Sequence, residues 1–339
     1  LFQILLEKTL ARSRAAGAAI PVYLMTSPAT NDETVAFLAK HDRFGLAERD
    51  LTIFCQGTMP AVDADTHQLL LADRGALALS PDGHGGLLAA LAASGALADA
   101  RHRGLRYLFY VQVDNPLVSI GDPEFLGYHI DRKSEVSTQV VAKRTLREKV
   151  GNVVSIDGKL QILEYSDLNP LGDEIVDRRG DDGSAVFWAG NIAVHIFDLA
   201  FLDRVAGSAE GLPFHFARKA VPFIDCRSGQ RVEPEQPNAL KFERFIFDLL
   251  PAAERAIVYE VDAETAFAPV KNAPGEASDT PETVQRQMIA LAARWLREAG
   301  ARVDPDVPVE ISPLLAQDAA ELAERIPPGL HVTGAQQFC

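Results

Sequence analysis

Apolar and polar positions alternate at two different periods in the first 135 residues. Amphipathic stretches, which predict helices, are separated by short apolar runs, which predict strands; these segments are residues 1–15, 22–25, 31–40, 51–54 and 87–97. The run from Leu105 to Val113 is the strongest strand candidate and is almost entirely apolar, as is typical of a strand buried on both faces. This order predicts an α/β fold with a mostly parallel sheet and helices on both faces.

The pattern changes beyond residue 135, where strands follow one another directly. Apolar runs cover residues 136–142, 152–156 and 160–163, and Asp157-Gly158 predicts a hairpin turn between the last two runs. Residues 257–261 predict one further strand. We therefore expect a mixed sheet in this half of the chain.

Two helices are predicted in the last third of the chain. One covers residues 238–250, where four apolar positions have helical spacing: Phe242, Phe245, Ile246 and Leu249. The other begins at Thr280-Pro281, a cap followed by a first-turn proline, and ends at Gly300. The final forty residues are Pro-rich and predict short strands. We therefore divide the chain into a large domain at residues 1–265 and a C-terminal subdomain at residues 266–339.

Composition indicates a packed globular protein and argues against nucleic acid and membranes as partners. The 339 residues are 47% hydrophobic and 24% charged, which is ordinary for such a protein. A formal net charge of −14 opposes binding to nucleic acid. The sequence contains no apolar run of ~18 residues, so no membrane-spanning helix is predicted. The three cysteines are far apart and match neither a disulfide framework nor a zinc site, which favours a cytoplasmic location.

An aspartate follows the strongest predicted strand, in Val113-Asp114-Asn115-Pro116. Ligands of open parallel sheets collect beyond the carboxyl ends of the strands, and a carboxylate suits Mg²⁺. The alternative is an Asx turn or helix cap before Pro116. The position at the end of a buried strand favours a metal-binding role for Asp114.

Two loops suit a planar or anionic ligand. Pro81-Asp82-Gly83-His84-Gly85-Gly86 lies between a strand and a helix, where glycines let backbone amides approach a ligand closely; the alternative is an ordinary turn. Gln56 also follows a strand, and its amide offers the donor and acceptor that reading a base edge requires.

Lysines beside apolar residues are candidate phosphate contacts in a chain this acidic. Lys241 and Lys271 have such surroundings, although a lone lysine is usually a solvated surface group. Three histidines among apolar neighbours are predicted to be packed or hydrogen-bonded: His129, His195 and His215. Serine-hydrolase, zinc-protease and P-loop motifs do not occur in the sequence.

The loops at Gln56 and Pro81 and the segment at Asp114 resemble, together and in this order, those of the UDP-N-acetylhexosamine pyrophosphorylases and their UDP-sugar pyrophosphorylase relatives. Six further segments extend the resemblance to about residue 300, and nine ordered segments make it specific. These six are Lys149-Val150-Gly151-Asn152, Glu164-Tyr165-Ser166, Gly190-Asn191-Ile192, and residues 213–219, 241–248 and 269–273.

The resemblance implies a fold, a reaction and a set of site residues. The fold is that of the nucleotide-diphospho-sugar transferases, a Rossmann-like mixed sheet with helices on both faces, plus a small C-terminal appendage. The reaction is UTP + sugar 1-phosphate → UDP-sugar + pyrophosphate with Mg²⁺, in which positioning and charge neutralisation supply the catalysis. The implied residues are Asp114 for the metal; Lys241 and Lys271 for the phosphates; Gln56, Pro81 and Gly83 for the uracil; His84 for substrate; and Gly151, Glu164, Asn191 and Phe247 for the sugar.

The chain departs from the family pattern in two places. It begins with Leu1-Phe2-Gln3, which reads as the inside of a helix, and it lacks the Gly-rich LxxGGxGTRLG loop that precedes this helix in the family. We therefore expect an absent upstream segment and little or no activity in this chain alone. Animal and fungal N-acetylhexosamine enzymes carry Asn where His84 stands, and PxGHG is typical of UDP-glucose and broad UDP-sugar enzymes, so both N-acetylglucosamine 1-phosphate and glucose 1-phosphate stay open.

Two other functions are compatible with these residues. A UDP-sugar-using glycosyltransferase usually carries a DxD motif where Asp114-Asn115 stands, and the second acid is missing here. A nucleotide-sugar-binding module without turnover is the other alternative. The sequence does not indicate the oligomeric state.

Overall fold

The computed structural model describes residues 1–168, 172–206 and 211–339. The α-helices in these ranges are α1 Phe2–Ala16, α2 Asn31–Lys40, α3 Leu87–Ala93, α4 Ala96–His102, α5 Pro123–Asp131, α6 Tyr165–Leu168, α7 Asp173–Val176, α8 Leu199–Ala206, α9 Ala263–Ala266, α10 Pro281–Glu298 and α11 Ala319–Ala323. The strands are β1 Val22–Thr26, β2 Leu51–Cys55, β3 Thr58–Pro60, β4 Val62–Asp63, β5 Leu71–Asp73, β6 Ala76–Leu77, β7 Leu79–Pro81, β8 Tyr107–Tyr110, β9 Val136–Ala142, β10 Asn152–Ile156, β11 Lys159–Leu163, β12 Ala189–Asp198, β13 His215–Lys219, β14 Phe223–Ile224, β15 Arg231–Val232, β16 Ala239–Glu243, β17 Ala256–Glu260, β18 Arg302–Val303, β19 Val309–Ile311, β20 His331–Val332 and β21 Gln336–Phe338. None of the helices in these ranges is long and apolar enough to cross a bilayer.

A mixed sheet of six strands forms the centre of the molecule. Its order is β11-β10-β12-β9-β17, and β8 pairs with β12. β9 and β17 are parallel, whereas β8 and β9 both pair antiparallel with β12. The predicted mixed sheet is therefore confirmed, but the expectation of mostly parallel pairing is wrong for β8. The apolar run that suggested a parallel strand reflects burial on two faces and does not encode strand direction.

Alternating residues of this sheet enter two different apolar clusters. Val140 and Phe197 pack on one face with Phe201 of α8, and the neighbouring residues Val141 and Ile196 pack on the other face. Phe125 of α5 and Leu5 of α1 belong to the second cluster. Because successive strand residues point to opposite faces, this pattern shows that the sheet is covered on both sides, as predicted.

The helix predicted over residues 238–250 is wrong. Residues 239–243 form β16, which is paired with β13 on one side and β4 on the other, and a 3₁₀ turn follows at Ile246–Ala252. Hydrogen bonds to two neighbouring strands outweigh the helical spacing of the apolar residues. In the structure Phe242 packs at the sheet surface beside Phe214, and Ile246 and Leu249 are buried in the 3₁₀ turn.

Other element boundaries differ in smaller ways. The predicted helix at 87–97 is two helices, α3 and α4, because Gly95 has a φ of 81° and interrupts the helical path. β8 ends at Tyr110 and not at Val113. The hairpin of β10 and β11 turns at Asp157-Gly158, both with positive φ, as predicted.

Helix α10 connects the central part of the chain to the C-terminal elements. A capping box between Thr280 and Thr283 begins it, and Gly300, with a φ of 89°, follows its end. Its first half packs beside Leu117 through Val284. Leu296, near its end, is buried in a separate apolar cluster with β18–β20 and α11. The division at residue 265 stays a prediction.

Candidate functional site

Asp114 lies just beyond the end of β8, and its neighbour Asn115 makes the turn that follows. The Asn115 Oδ1 accepts from the backbone N–H groups of Leu117 (3.2 Å) and Ala268 (3.1 Å), and its Nδ2 donates to the Ala266 carbonyl (2.8 Å). The Asx turn or helix cap that was the alternative role for Asp114 is therefore supplied by Asn115. The carboxylate of Asp114 is not used to stabilise this turn.

The Asp114 carboxylate faces a cationic partner without forming an ion pair. Among the described residues it makes no side-chain hydrogen bond, and burial raises its pKa while the nearby charge of Lys271 opposes the rise. Asp279 raises the pKa further. In the described ranges the carboxylate has no side-chain donor, and burial outweighs the help that its ionised form receives from Lys271 and from its own backbone N–H. A cation bound at this position would stabilise the ionised form further.

The loop that carries Lys271 is fixed between Asp114 and the start of α10. The Val270 N–H donates to the Asp114 carbonyl (2.9 Å), and the Lys271 N–H donates to the Asp279 carbonyl (2.8 Å). The Lys271 ammonium lies 5.9 Å from the centroid of the Phe267 ring. A cavity of about 250 Å³ adjoins this loop, and Arg144 and Lys149 contribute two further cations to its lining.

Glu164 and Gly151 lie in contact next to this loop. A Cβ on Gly151 would lie 2.8 Å from Ile162 Cγ2 and 2.9 Å from Glu164 Oε1, so only glycine leaves the carboxylate its place. Burial and the charge of Asp167 raise the pKa of Glu164, and Lys271 opposes the rise. The electrostatic reach of Lys271 therefore covers both Asp114 and Glu164.

Asn191 joins this group through the backbone. Its N–H donates to the Gly151 carbonyl (2.8 Å), and its Oδ1 accepts from the Ala193 N–H (3.1 Å) within an irregularity of β12. Ala193 has a φ of 56°, an uncommon conformation for a residue with a Cβ. The Nδ2 of Asn191 has no hydrogen-bond partner among the described residues and can donate to a ligand.

The glycine loop at residues 81–86 is clamped onto the end of β16. Pro81, on β7, pairs with Thr58 on β3. Gly83 has a φ of 84°, and a Cβ there would lie 2.5 Å from the Arg244 carbonyl oxygen. The Gly85 N–H donates to that same oxygen at 2.7 Å. Both the conformation and the close approach require glycine at position 83.

His84 is buried in an aromatic cluster. Its Nδ1 accepts from the Ile246 N–H (3.1 Å), and its ring lies 5.1 Å from Phe245 and 5.5 Å from Phe247, centroid to centroid. Burial lowers its pKa to about 4, so the ring is neutral at pH 7. His84 and Phe247 are thus brought together, and His84 contributes an uncharged ring to the aromatic cluster.

Gln56 leaves an acceptor unused beside the glycine loop. Its backbone N–H donates to the Thr26 carbonyl (2.8 Å), while its side-chain Oε1 is buried and has no partner among the described residues. The adjoining Gly57 carbonyl accepts from the Asp82 N–H (3.1 Å), which ties the two loops together.

Lys241 is the predicted site residue least connected to the others. It lies on β16 opposite Ala217, two residues before Glu243, whose Cβ borders Gly83. Within the ranges that the structure describes, its side chain makes no hydrogen bond or ion pair with the other predicted site residues. The structure therefore places Lys241 near the glycine loop only through the backbone of β16.

A hydrogen-bonded pair next to Glu164 was not among the predicted site residues. His215 Nε2 and Asp248 Oδ2 are 2.8 Å apart, and the His215 ring lies 4.4 Å from Phe245. Both residues act electrostatically on the pKa of Glu164, which His215 lowers and Asp248 raises. The two residues lie in segments that carry the resemblance, His215 was correctly predicted to be packed or hydrogen-bonded, and only their meeting in space was not readable from sequence.

The described structure is thus an α/β protein with a mixed central sheet, in which polar and charged residues converge beyond the ends of β2 and β8. The sequence model of the family described as UTP–glucose-1-phosphate uridylyltransferase matches residues 1–292. The chain belongs to this family.

Individual relatives agree with that assignment. The chain is 37% identical to a UDP-N-acetylhexosamine pyrophosphorylase-like protein 1 of Xenopus tropicalis, over 88% of the chain and 61% of the relative. It is 35% identical to a UDP-N-acetylglucosamine pyrophosphorylase of Saccharomyces cerevisiae, over 96% of the chain and 69% of the relative. The chain therefore spans about two thirds or less of the length of these relatives.

Solved structures show the same architecture. A structure from Entamoeba histolytica matches the whole chain with a TM-score of 0.89 at 29% identity, covering 84% of that protein. The uridine diphosphate N-acetylglucosamine pyrophosphorylase of Trypanosoma brucei, in complex with an inhibitor, matches 98% of the chain and 72% of that protein, with a TM-score of 0.82 at 27% identity. The predicted fold class is confirmed.

Proposed function

We propose that the protein carrying this chain is a uridylyltransferase that converts UTP and a sugar 1-phosphate into a UDP-sugar and pyrophosphate. The sugar 1-phosphate is N-acetylglucosamine 1-phosphate or glucose 1-phosphate, and the reaction takes place in the cytoplasm. The observation that carries the proposal is the unpaired Asp114 carboxylate facing Lys271 at the end of β8. An uncompensated carboxylate and a lysine close to it suit a site that gathers a metal ion and phosphates.

The residues present fit a divalent metal ion that would be held by Asp114. Its carboxylate is hard, half-buried and free of side-chain donors. No cluster of three or more His, Cys, Asp or Glu side chains suited to a metal occurs in the described ranges. One protein carboxylate matches Mg²⁺, which usually completes its coordination with phosphate oxygens and water. When bound, the ion would neutralise charge on the phosphates.

The chain's own residues would orient the two substrates. We assign the uracil to the glycine loop, with Gln56 Oε1 accepting from the base and the backbone around Gly83 approaching its plane. We assign the sugar to Glu164 as acceptor and to Asn191 Nδ2 as donor, against Gly151 and the Phe247 ring. Lys271, and Lys241 from β16, would bind phosphate oxygens. The sugar phosphate oxygen then attacks the α-phosphorus of UTP with no protein nucleophile, and the bond to the bridging oxygen breaks so that pyrophosphate leaves.

Substitution of Asp114 tests the proposal. In the full protein, Asp114→Asn should lower Mg²⁺-dependent pyrophosphate release about 100-fold or more, because it removes the metal's carboxylate ligand while keeping the side-chain shape. The assay should pair UTP with each of the two sugar 1-phosphates. Asp306→Asn is the matched control, because Asp306 is exposed in the C-terminal part.

The outcomes separate the possible functions. Loss of turnover with an unchanged Tm supports the metal-binding role of Asp114. Unchanged turnover in Asp114→Asn removes the residue from the site. Binding of a UDP-sugar without turnover by the unsubstituted protein would instead favour a nucleotide-sugar-binding module.

A further inference from the structure

A second cavity lies at the opposite end of β8 from Asp114. Its volume is about 460 Å³, and Tyr107, the first residue of β8, lines it together with Asp198, the last residue of β12. The cavity shares no lining residue with the predicted site. Its size is that of pockets for small metabolites.

Most of the charged side chains that line this cavity without an ion-pair partner in the described ranges are cations. Lys133, Arg204 and Arg255 line it, as do the two acids Glu135 and Asp198. Glu135 is already bound by Arg204 (2.6 Å) and by the Glu254 N–H (2.6 Å).

Asp198 is also committed, because it caps α8 by accepting from the Ala200 N–H (2.8 Å). The Lys133 ammonium and the terminal nitrogens of Arg255 have no acceptor among the described residues. Three cations line the cavity with two acids, so the lining carries one net positive charge in a chain of net charge −14.

A buried histidine with an unused nitrogen also lines the cavity. His129 is 0% exposed, and its Nδ1 lies 2.7 Å from the Ser137 Oγ. Its Nε2, on the other side of the ring, has no partner. Burial lowers the pKa of His129, so the ring is neutral. If the Ser137 hydroxyl donates to Nδ1, the proton resides on Nε2, and the ring presents one donor that the protein does not use.

We propose that this cavity binds the phosphate group of a small phosphorylated metabolite. Lys133 and Arg255 supply the charge, and the Nε2–H of His129 supplies a buried donor. Phosphate is favoured over a carboxylate because two separate cations and a third donor match its several acceptor oxygens. The source is either inorganic phosphate or a phosphorylated sugar that is not a substrate of the transfer reaction.

Calorimetric titration with inorganic phosphate, and separately with glucose 6-phosphate, tests this assignment in the full protein. The Lys133→Gln and Arg255→Gln variants should each weaken binding about tenfold or more. Both side chains are exposed. An unchanged Tm checks that loss of the hydrogen bond from Arg255 Nε to the Lys133 carbonyl (2.8 Å) leaves the fold intact. The Lys271→Met variant should keep this binding, since it alters only the predicted transfer site. Tighter binding of glucose 6-phosphate than of phosphate would identify a sugar phosphate as the ligand, and equal affinity would identify phosphate itself.

Nitrogen chemical shifts of His129 supply a second readout. Saturating phosphate should move the Nε2 resonance in the unsubstituted protein and in Lys271→Met. Unchanged affinity in both glutamine variants, or loss of phosphate binding in Lys271→Met alone, would overturn the proposal. Either result would leave the proposed transfer reaction untouched, because that reaction is tested at Asp114.

Discussion

Asp114 and Asn115 are adjacent in sequence but differ in what they do. The Asn115 side chain makes three hydrogen bonds to the backbone and fixes the loop, so Asp114 does not need to support it. A sequence motif shows both residues but not which of them is committed to structure. The contacts decide in favour of Asp114 as the chemically available residue.

Lys271 is expected to act on the transferred group more than on the nucleoside. Lys271→Met should lower kcat about 10- to 100-fold, as expected for a lost charge-assisted contact, while the affinity for uridine changes little. Steady-state kinetics and uridine titration measure the two effects. Lys40→Met, at an exposed position near the end of α2, is the control. Equal losses of turnover and uridine affinity would indicate a role in folding.

Lys8 is a half-buried lysine that holds the loop after Asp114. Its Nζ donates to the carbonyls of Pro116 (2.7 Å) and Val118 (2.9 Å), and burial lowers its pKa to about 7. Between pH 7 and about 10 the unfolded chain binds a proton there that the folded chain does not. The free energy of unfolding should therefore rise with pH, by up to about 1.4 kcal/mol per pH unit.

Comparison with Lys8→Met isolates this contribution. Urea denaturation at pH 7, 8 and 9 should give a smaller slope against pH in the variant than in the unsubstituted protein. Parallel slopes would mean that the Lys8 ammonium stays charged in the fold.

At the scale of elements, the sequence predicted those whose signals are local. The helix cap at Thr280 and the Asp157-Gly158 turn depend on neighbouring residues, and both occur where predicted. β16 could not be found in this way, because its identity depends on β13 and β4, which are distant in sequence. Its helical spacing is satisfied by a strand followed by a 3₁₀ turn.

The loop at residues 81–86 should be intolerant of a side chain at position 83. Gly83→Ala combines an unfavourable φ of 84° with a Cβ 2.5 Å from a backbone oxygen. We expect it to lower the free energy of unfolding by more than about 2 kcal/mol.

Gly95→Ala is a matched control, since Gly95 has a φ of 81° and no atom within 4 Å of a Cβ. In urea denaturation it should lower the free energy of unfolding by only about 1–2 kcal/mol, which is the cost of a positive φ for a residue with a Cβ. Equal losses in the two variants would show that the contact with Arg244 yields easily.

At the scale of the whole molecule, buried histidines should limit stability in acid. Burial lowers the pKa of His84 to about 4 and that of His195 to about 3. Below pH 6.5 the unfolded chain takes up protons that the folded chain refuses. The free energy of unfolding should therefore fall as the pH falls from 6.5 towards 4.

His195→Phe tests this directly. Both ring nitrogens of His195 are buried without partners, and its ring lies 5.7 Å from Tyr110. A phenyl ring should raise the free energy of unfolding by about 1–2 kcal/mol at pH 7 and reduce the loss at pH 5. Thermal denaturation at the two pH values measures both effects, and a destabilised variant with an unchanged acid loss would contradict the argument.

The α/β class and the positions of most elements could be read from periodicity, but the direction of β8 could not. The candidate residues came from a resemblance, and the structure brings Asp114, Lys271, Glu164, Gly151 and Asn191 into one neighbourhood. The roles of these residues stay predictions, as does the division at residue 265. The His215–Asp248 pair escaped prediction because its partners are 33 positions apart.

Val270 and Lys271 are held by carbonyl groups from two different parts of the chain, at the end of β8 and at the start of α10. A small axial shift of α10 would therefore change the distance between the Lys271 ammonium and the Asp114 carboxylate.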